Sequence, residues 1–166
     1  MENEKLKVAE ELTQKIRVAF ADNAYPGDAN LARVNTDVHC EYKTIRVAFR
    51  GRDWRNLDDE LAREAAESLF FFSARGFQFF LPGLMLWTLT HYARDHGLGD
   101  SLVYALTPLA HDSRVLKSAF DWIDGFNMTQ RQTIREYLQV LRDHFAEEEC
   151  RKRELDEALR FWNSIE

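Results

Sequence analysis

In a chain whose formal net charge is −6, the run from Lys43 to Arg55 collects five cations, Lys43, Arg46, Arg50, Arg52 and Arg55, around Trp54. Arg46 and Arg50 stand four apart, which on a helix puts them on one face. Arginine beside an exposed tryptophan is the composition of binding hot spots, because both side chains bury large, partly apolar surfaces against a partner. Upstream, the turn Tyr25-Pro26-Gly27-Asp28 adds a phenol and a carboxylate. Tyr25, Asp28, Arg46, Arg50, Arg52 and Trp54 therefore form the candidate interaction patch. In the competing reading Trp54 fills the core and the arginines pair with acids of the following helix, where an exposed pair is worth under ~1 kcal/mol.

No constellation for covalent or metal chemistry accompanies this patch. His39-Cys40 sets an imidazole beside a thiol, but adjacent side chains do not close comfortably on one ion, and no CxxC, HExxH or HxxxH spacing follows. A nucleophilic Cys40 would need an orienting acid and an oxyanion site, and neither can be placed; it reads instead as a small core residue at a helix start. Cys150 with His144 is weaker still. His111-Asp112-Ser113 is a contiguous tripeptide whose side chains diverge, and GxSxG and phosphate-loop glycine patterns are absent. Asp58-Asp59-Glu60 and Glu147-Glu148-Glu149 read as solvated helix faces. The sequence thus predicts no catalytic residue, no cofactor and no metal, and leans away from an enzyme.

At 166 residues, 45% of them hydrophobic, 13% aromatic and 30% charged, the chain is sized for one domain with a substantial core and is no disordered polymer. Its acidity argues against a nucleic-acid binder that neutralises phosphates. A basic protein is the more natural partner. Two cysteines make no disulfide framework and suit a reducing compartment. The segment MENEKLKVAEEL lacks the apolar region of a secretion signal, so a cytoplasmic protein of bacterial type is expected.

A helical frame must position these residues. From Phe77 to Tyr92 apolar side chains cover every side of a helical projection, which predicts burial. Arg75 and Gln78 at one end, and His91, Arg94 and Asp95 at the other, leave it short of the ~20 residues of a membrane span. Ser73 is its cap, residues 74–95 its extent and His96-Gly97 its close, while Pro82 either kinks or divides it. Residues 3–20 carry Ala9, Leu12, Ile16 and Ala19 at helical spacing. A second helix, opened by Asp37 and closed by Gly51, shows Val38, Tyr42, Ile45 and Phe49; a third, capped by Asn56, shows Leu57, Leu61, Ala65 and Leu69. Residues 102–106 fit either a brief helix capped by Asp100 or Ser101, or a strand, with 31–34 a second short extended piece. Beyond Pro108, Leu116, Ala119, Phe120 and Ile123 predict another short helix. Thr129 and Gln132 have capping-box spacing, and the stripe Ile134, Leu138, Leu141, Phe145 resumes at Leu155, Leu159 and Trp162. No proline or glycine interrupts that last stretch, so a continuous or bent helix is expected. The predicted fold is all-α: six or seven helices around the aromatic helix, at most a minor two-stranded element, one domain over 1–166, and 146–166 as a C-terminal helical extension.

The succession AFADNAYPGD, HCEYKTIRVAFRGRDW, LFFFSARGFQFFLPGLMLWTL, DSLVYALTP and MTQRQTIREYLQVLRD resembles a family of small bacterial proteins of unknown function, over residues 16–145. Its recurring pieces, YPGD, CE, GxxW, SxxGFxxxLP and TxxQ, are mostly capping and core residue types. The resemblance therefore implies a fold and no reaction.

Small size, acidic charge and the lack of a reactive constellation favour a non-catalytic cytosolic protein that binds another protein, of immunity or regulatory type. Two alternatives stand beside it. One is a small-molecule sensor or enzyme with a pocket near Cys40 and Pro82, using Tyr25, Asp28 or His39. The other is an oligomerisation module presenting Leu155, Leu159 and Trp162. No nucleic acid and no membrane enter any of these readings, and the chain is expected to be a monomer or homodimer.

Overall fold

A computed structural model describes residues 2–34, 39–92, 97–107 and 122–165, and these form seven α-helices. They are α1 (Glu2–Ala19), α2 (Cys40–Ala48), α3 (Asp59–Ser68), α4 (Ala74–His91), α5 (Leu98–Ala105), α6 (Met128–Val140) and α7 (Glu149–Ser164). The aromatic stretch is α4, and every residue from Phe79 to Leu89 is buried, as a helix without a polar face must be. Packing runs from α2 to α3, α5, α7, α6 and α1, and α4 meets α1 and α5. One contiguous buried cluster draws on all seven helices, among them Ile16, Ile45, Leu61, Phe80, Leu102, Ile134 and Trp162.

Ser73 caps α4 as expected: its Oγ accepts the Gly76 N–H at 2.9 Å, and its hydroxyl donates to the Asn30 carbonyl. Pro82 neither divides nor ends the helix. Having no N–H, it leaves the carbonyl of Gln78, four residues back, without its helical donor. The side-chain amide of Asn23 takes that place, donating to the Gln78 carbonyl at 3.0 Å. Asn23 Oδ1 accepts in turn from Gln130 Nε2 at 3.0 Å, and Gln130 closes a reciprocal capping box with Asn127 at the start of α6. A proline in α4 is thereby tied to the end of α1 and the start of α6. The helix also sits close to its surroundings: a Cβ at Gly76 would fall on the Leu31 carbonyl, and one at Gly83 on the Trp54 carbonyl.

Several boundaries differ from expectation for local reasons. The cap of α3 is Asp58, whose Oδ1 accepts the Leu61 N–H at 2.8 Å, because Asn56 is already the last residue of a 3-10 turn that Asp53 caps. Asn127 and Gln130, not Thr129 and Gln132, form the capping box. Residues 102–105 belong to α5, which follows Gly97 at φ 94, so no strand forms there. The extended piece at 31–34 instead makes a single antiparallel bridge, Ala32 with Phe72, flanked by Arg33 N–H to Phe71 O at 3.1 Å and Ser73 N–H to Leu31 O at 2.8 Å. The cap at Asp37, the close of the central helix at His96 and the predicted helix after Pro108 lie outside the described residues, apart from a 3-10 turn at Ile123–Gly125.

The largest correction is at the C-terminus. α6 runs into a π-helical turn, Leu141–Phe145, Ala146 is extended, and α7 folds back on α6. Arg142 Nε donates to Asp156 Oδ1 at 2.6 Å, and Arg135 Nη2 to the Ile165 carbonyl at 3.0 Å, which fixes the antiparallel register. Leu155, Leu159 and Trp162 all enter the core, and Trp162 Nε1 donates to Leu106 O at 2.8 Å. Each such burial contributes about 1.5–3 kcal/mol, enough to break a helix that no proline or glycine interrupts. A stripe spent on the chain's own core is not a surface for oligomerisation. Among the described residues no helix is long and apolar enough to cross a membrane.

Candidate functional site

Three members of the predicted patch meet. The Tyr25 phenol donates to Asp28 Oδ1 at 2.6 Å and accepts the Gly51 N–H at 2.8 Å, while Arg50 Nε donates to Asp28 Oδ2 at 2.7 Å. Gly27, at φ 87, permits the turn that presents Asp28. The Tyr25 hydrogen bond first, and Arg50 second, hold the Asp28 carboxyl below its ordinary 3.8. Burial, then the bond to Asp28, pushes the Tyr25 phenol above its ordinary 10.0. The result is a clasp between the first turn and the end of α2.

The other three members do not join it. Trp54 is 1% exposed, so its indole is a core residue and not a hot spot; the Arg55 guanidinium covers its ring at 4.5 Å. Arg46 Nη1 donates to the Val34 carbonyl at 3.3 Å, and Arg52 lines a different cleft. Two of the arginines pair away from α3: Arg50 takes Asp28, and Arg55 takes Asp53 at 3.1 Å. Cys40 is exposed, not packed in the core, with Sγ 3.4 Å from Glu41 Oε2. Pro82 is buried inside α4.

The open chemistry lies around α3, at residues the sequence presented as a solvated acidic run. With its cap, α3 carries Asp58, Asp59, Glu60, Glu64 and Glu67 against one cation, Arg63. A cleft of about 330 Å³ separates it from α2, and Lys43 and Arg52 line it together with Asp58, Glu60 and Glu64. On its other side a cleft of about 640 Å³ is lined by Asp59, Glu60, Ala66, Trp87, His91 and Leu98. Glu60 borders both.

In the larger cleft, helical spacing sets Trp87 and His91 on one face of α4, with the rings stacked at 4.4 Å and 11°. Trp87 Nε1 donates to Asp59 Oδ1 at 3.1 Å, which orients that carboxylate. His91 Nδ1 lies 3.0 Å from the Trp87 carbonyl and 2.8 Å from Thr90 Oγ1. A carbonyl only accepts, so the Trp87 contact assigns a proton to Nδ1, and in the neutral ring Nε2 then keeps its lone pair. That nitrogen lies 3.8 Å from Asp59 Oδ1. Thr90 is no nucleophile here, because its single hydroxyl proton faces the Leu86 and Trp87 carbonyls at 3.2 and 3.0 Å. Among the described residues no three His, Cys, Asp or Glu side chains group to hold a metal ion. Asp59 and His91 are far apart in sequence, and only the packing of α3 on the α4–α5 corner brings them together.

Fold and site together define a small all-α protein whose open polar groups lie in clefts flanking one acidic helix. The chain belongs to a family of unknown function, DUF6714, whose model matches residues 8–166. The match extends past the 16–145 that the motifs suggest and takes in α7. No curated protein and no solved structure matches the chain.

Proposed function

We propose that the protein is a non-catalytic binding protein of regulatory or immunity type, acting in the cytoplasm on a basic protein that docks over α3. One observation carries this reading: the helix with the densest carboxylates is also the one bordered by both clefts. Clustered carboxylates steer a cationic partner by their summed field, and the effect fades with salt. On α3 they also repel one another, Glu60 and Glu64 at four-residue spacing by about 0.2–0.5 kcal/mol, which a cationic partner relieves. The clefts add what exposed ion pairs lack, room for partner side chains to insert and exclude water.

Partner capture from the native host tests it, with wild type and a Glu60→Lys/Glu67→Lys variant on parallel columns. The expected result is a basic protein held by wild type, released by raised salt and absent from the variant, with an association rate that falls as ionic strength rises. Identical retention by both columns, or binding indifferent to salt, would sink the reading.

A further inference from the structure

We infer that the cleft between α3, α4 and α5 binds a nitrogen cation on an aliphatic stem, an alkylguanidinium or alkylammonium group, held between His91 Nε2 and the Asp59 carboxylate. The inference does not need the docking face on α3, since the cleft can be titrated by itself.

Its basis is a pair of acceptors side by side at the mouth of the cleft, the Asp59 side chain 84% and the His91 side chain 38% exposed, so that both are open to a ligand entering from solvent. With Nδ1 carrying the proton of the neutral ring, His91 turns an acceptor toward Asp59, itself an acceptor, at 3.8 Å. Two lone-pair atoms at that distance gain nothing from each other; both gain from an N–H donor between or across them. Asp59 has capacity left after taking the Trp87 indole N–H, because a carboxylate offers about four lone-pair sites. The charge is that of a cation site: among the described residues Asp59 and Glu60 stand against Arg63. Bonds from charged donors to carboxylate are about twice as strong as neutral ones, which favours a cation over an alcohol or amide. A metal ion is the poorer occupant, because only two ligands converge. Behind the polar pair, Ala62, Ala66, Leu98 and the Trp87 ring supply an apolar wall for the stem. The volume, about 640 Å³, lies within the ~300–1,000 Å³ of small-ligand pockets. The site is also held in place before any ligand arrives: Trp87 is 9% exposed, and its N–H fixes the carboxylate while its ring fixes the imidazole.

The test is a titration of the full-length protein, followed by the Trp87 indole N–H resonance, which the Trp87→Phe variant identifies. n-Butylguanidinium and n-butylammonium are the probes, and uncharged n-butylurea is the control. The expected result is a saturable shift with the cations and none with the urea. Asp59→Asn keeps the shape and removes the charge; His91→Phe keeps the ring stack and removes the lone pair. Each should weaken binding by about two- to fivefold, the loss of one solvent-exposed charged contact. Absence of a saturable shift, equal binding of the urea, or variants that bind like wild type would overturn the inference. A blocked arginine tripeptide separates the sources: binding at least as tight as the free probe assigns the cation to a partner's side chain, and exclusion assigns it to a free amine. A partner captured through α3 with no probe binding would remove this inference and leave the docking face, and saturable probe binding with no such partner would do the reverse.

Discussion

The two halves of α4 spend their polar groups in opposite ways. From Ser73 to Gly83 the groups described have partners within the chain: the Ser73 cap, the Gln78 carbonyl bonded by Asn23, and Gln78 Nε2 donating to the Trp122 carbonyl at 2.6 Å. Neighbouring backbone presses so close to Gly76 and Gly83 that no side chain fits. From Trp87 to His91 the helix instead lines a cleft with an acceptor that faces another acceptor. The first half is a joint and the second an opening. Charge does not make the difference, since the clasp carries a carboxylate at Asp28 as the cleft does at Asp59; what separates them is whether the acceptors have met their donors.

The largest effect expected from this contrast is at Gly83. A methyl there meets the Trp54 carbonyl and Leu57 Cδ1, and the carbonyl cannot rotate away. Gly83→Ala should cost about 2 kcal/mol even after the ~1 kcal/mol alanine gains as a helix former. At this chain length that is a drop of about 4–8 °C in Tm. His91→Phe, at the open end, should leave Tm within about 2 °C of wild type, as a surface change within ~0.5 kcal/mol does. Thermal melts of the two proteins side by side check the contrast, and equal losses would erase it.

Next in size is Asn23→Ala. It strips the only side-chain donor described for the Gln78 carbonyl and leaves Gln130 Nε2 without its acceptor. Leaving such part-buried groups unpaired costs about 1–3 kcal/mol. Denaturant melts should give that loss with the slope m unchanged. A Pro82→Ala/Asn23→Ala double variant should recover part of it, because alanine restores an N–H for the Gln78 carbonyl. No recovery would mean that Asn23 acts only through Gln130.

This division also explains what could be read from the chain in advance. Ser73 was legible as a cap because its hydroxyl stands just ahead of an apolar run, and the buried α4 because no face of it is polar. The choice of Asp58 over Asn56, or of Gln130 over Gln132, was not legible: each rival has the right chemistry at the right spacing, and a distant partner decides, as Asn23 does for Gln130. The turn between α6 and α7 has no local breaker and follows from where Leu155 and Trp162 find a core. The motifs that carried the family resemblance, YPGD, GxxW and SxxGFxxxLP, fall on the clasp, the buried Trp54 and the Ser73–Pro82 joint, so they point to architecture. The pair at Asp59 and His91 belongs to none of them, and half of it read as an ordinary solvated acid.

The smallest effect, and the finest check on the joint, lies at the clasp, which leans on α4 through Tyr25 packed edge-on to Phe79 at 5.4 Å. Asp28 has a folded pKa below 3.8, so its contribution is complete above that value and is lost as pH falls through the folded one. Tyr25 has a folded pKa above 10.0, so its contribution is complete below 10.0 and is lost as pH rises through the folded one. The difference in Tm between wild type and Tyr25→Phe should therefore be flat across neutral pH and shrink at both extremes. Because Asp28 and Arg50 are exposed, ~0.5 M salt should also shrink the Asp28 part, whereas the contact between the residue 25 ring and Phe79 survives in the variant. A difference that does not change from neutral to acid would show that the phenol acts through the Gly51 N–H alone, and the clasp would then be a turn contact and not an ionic one.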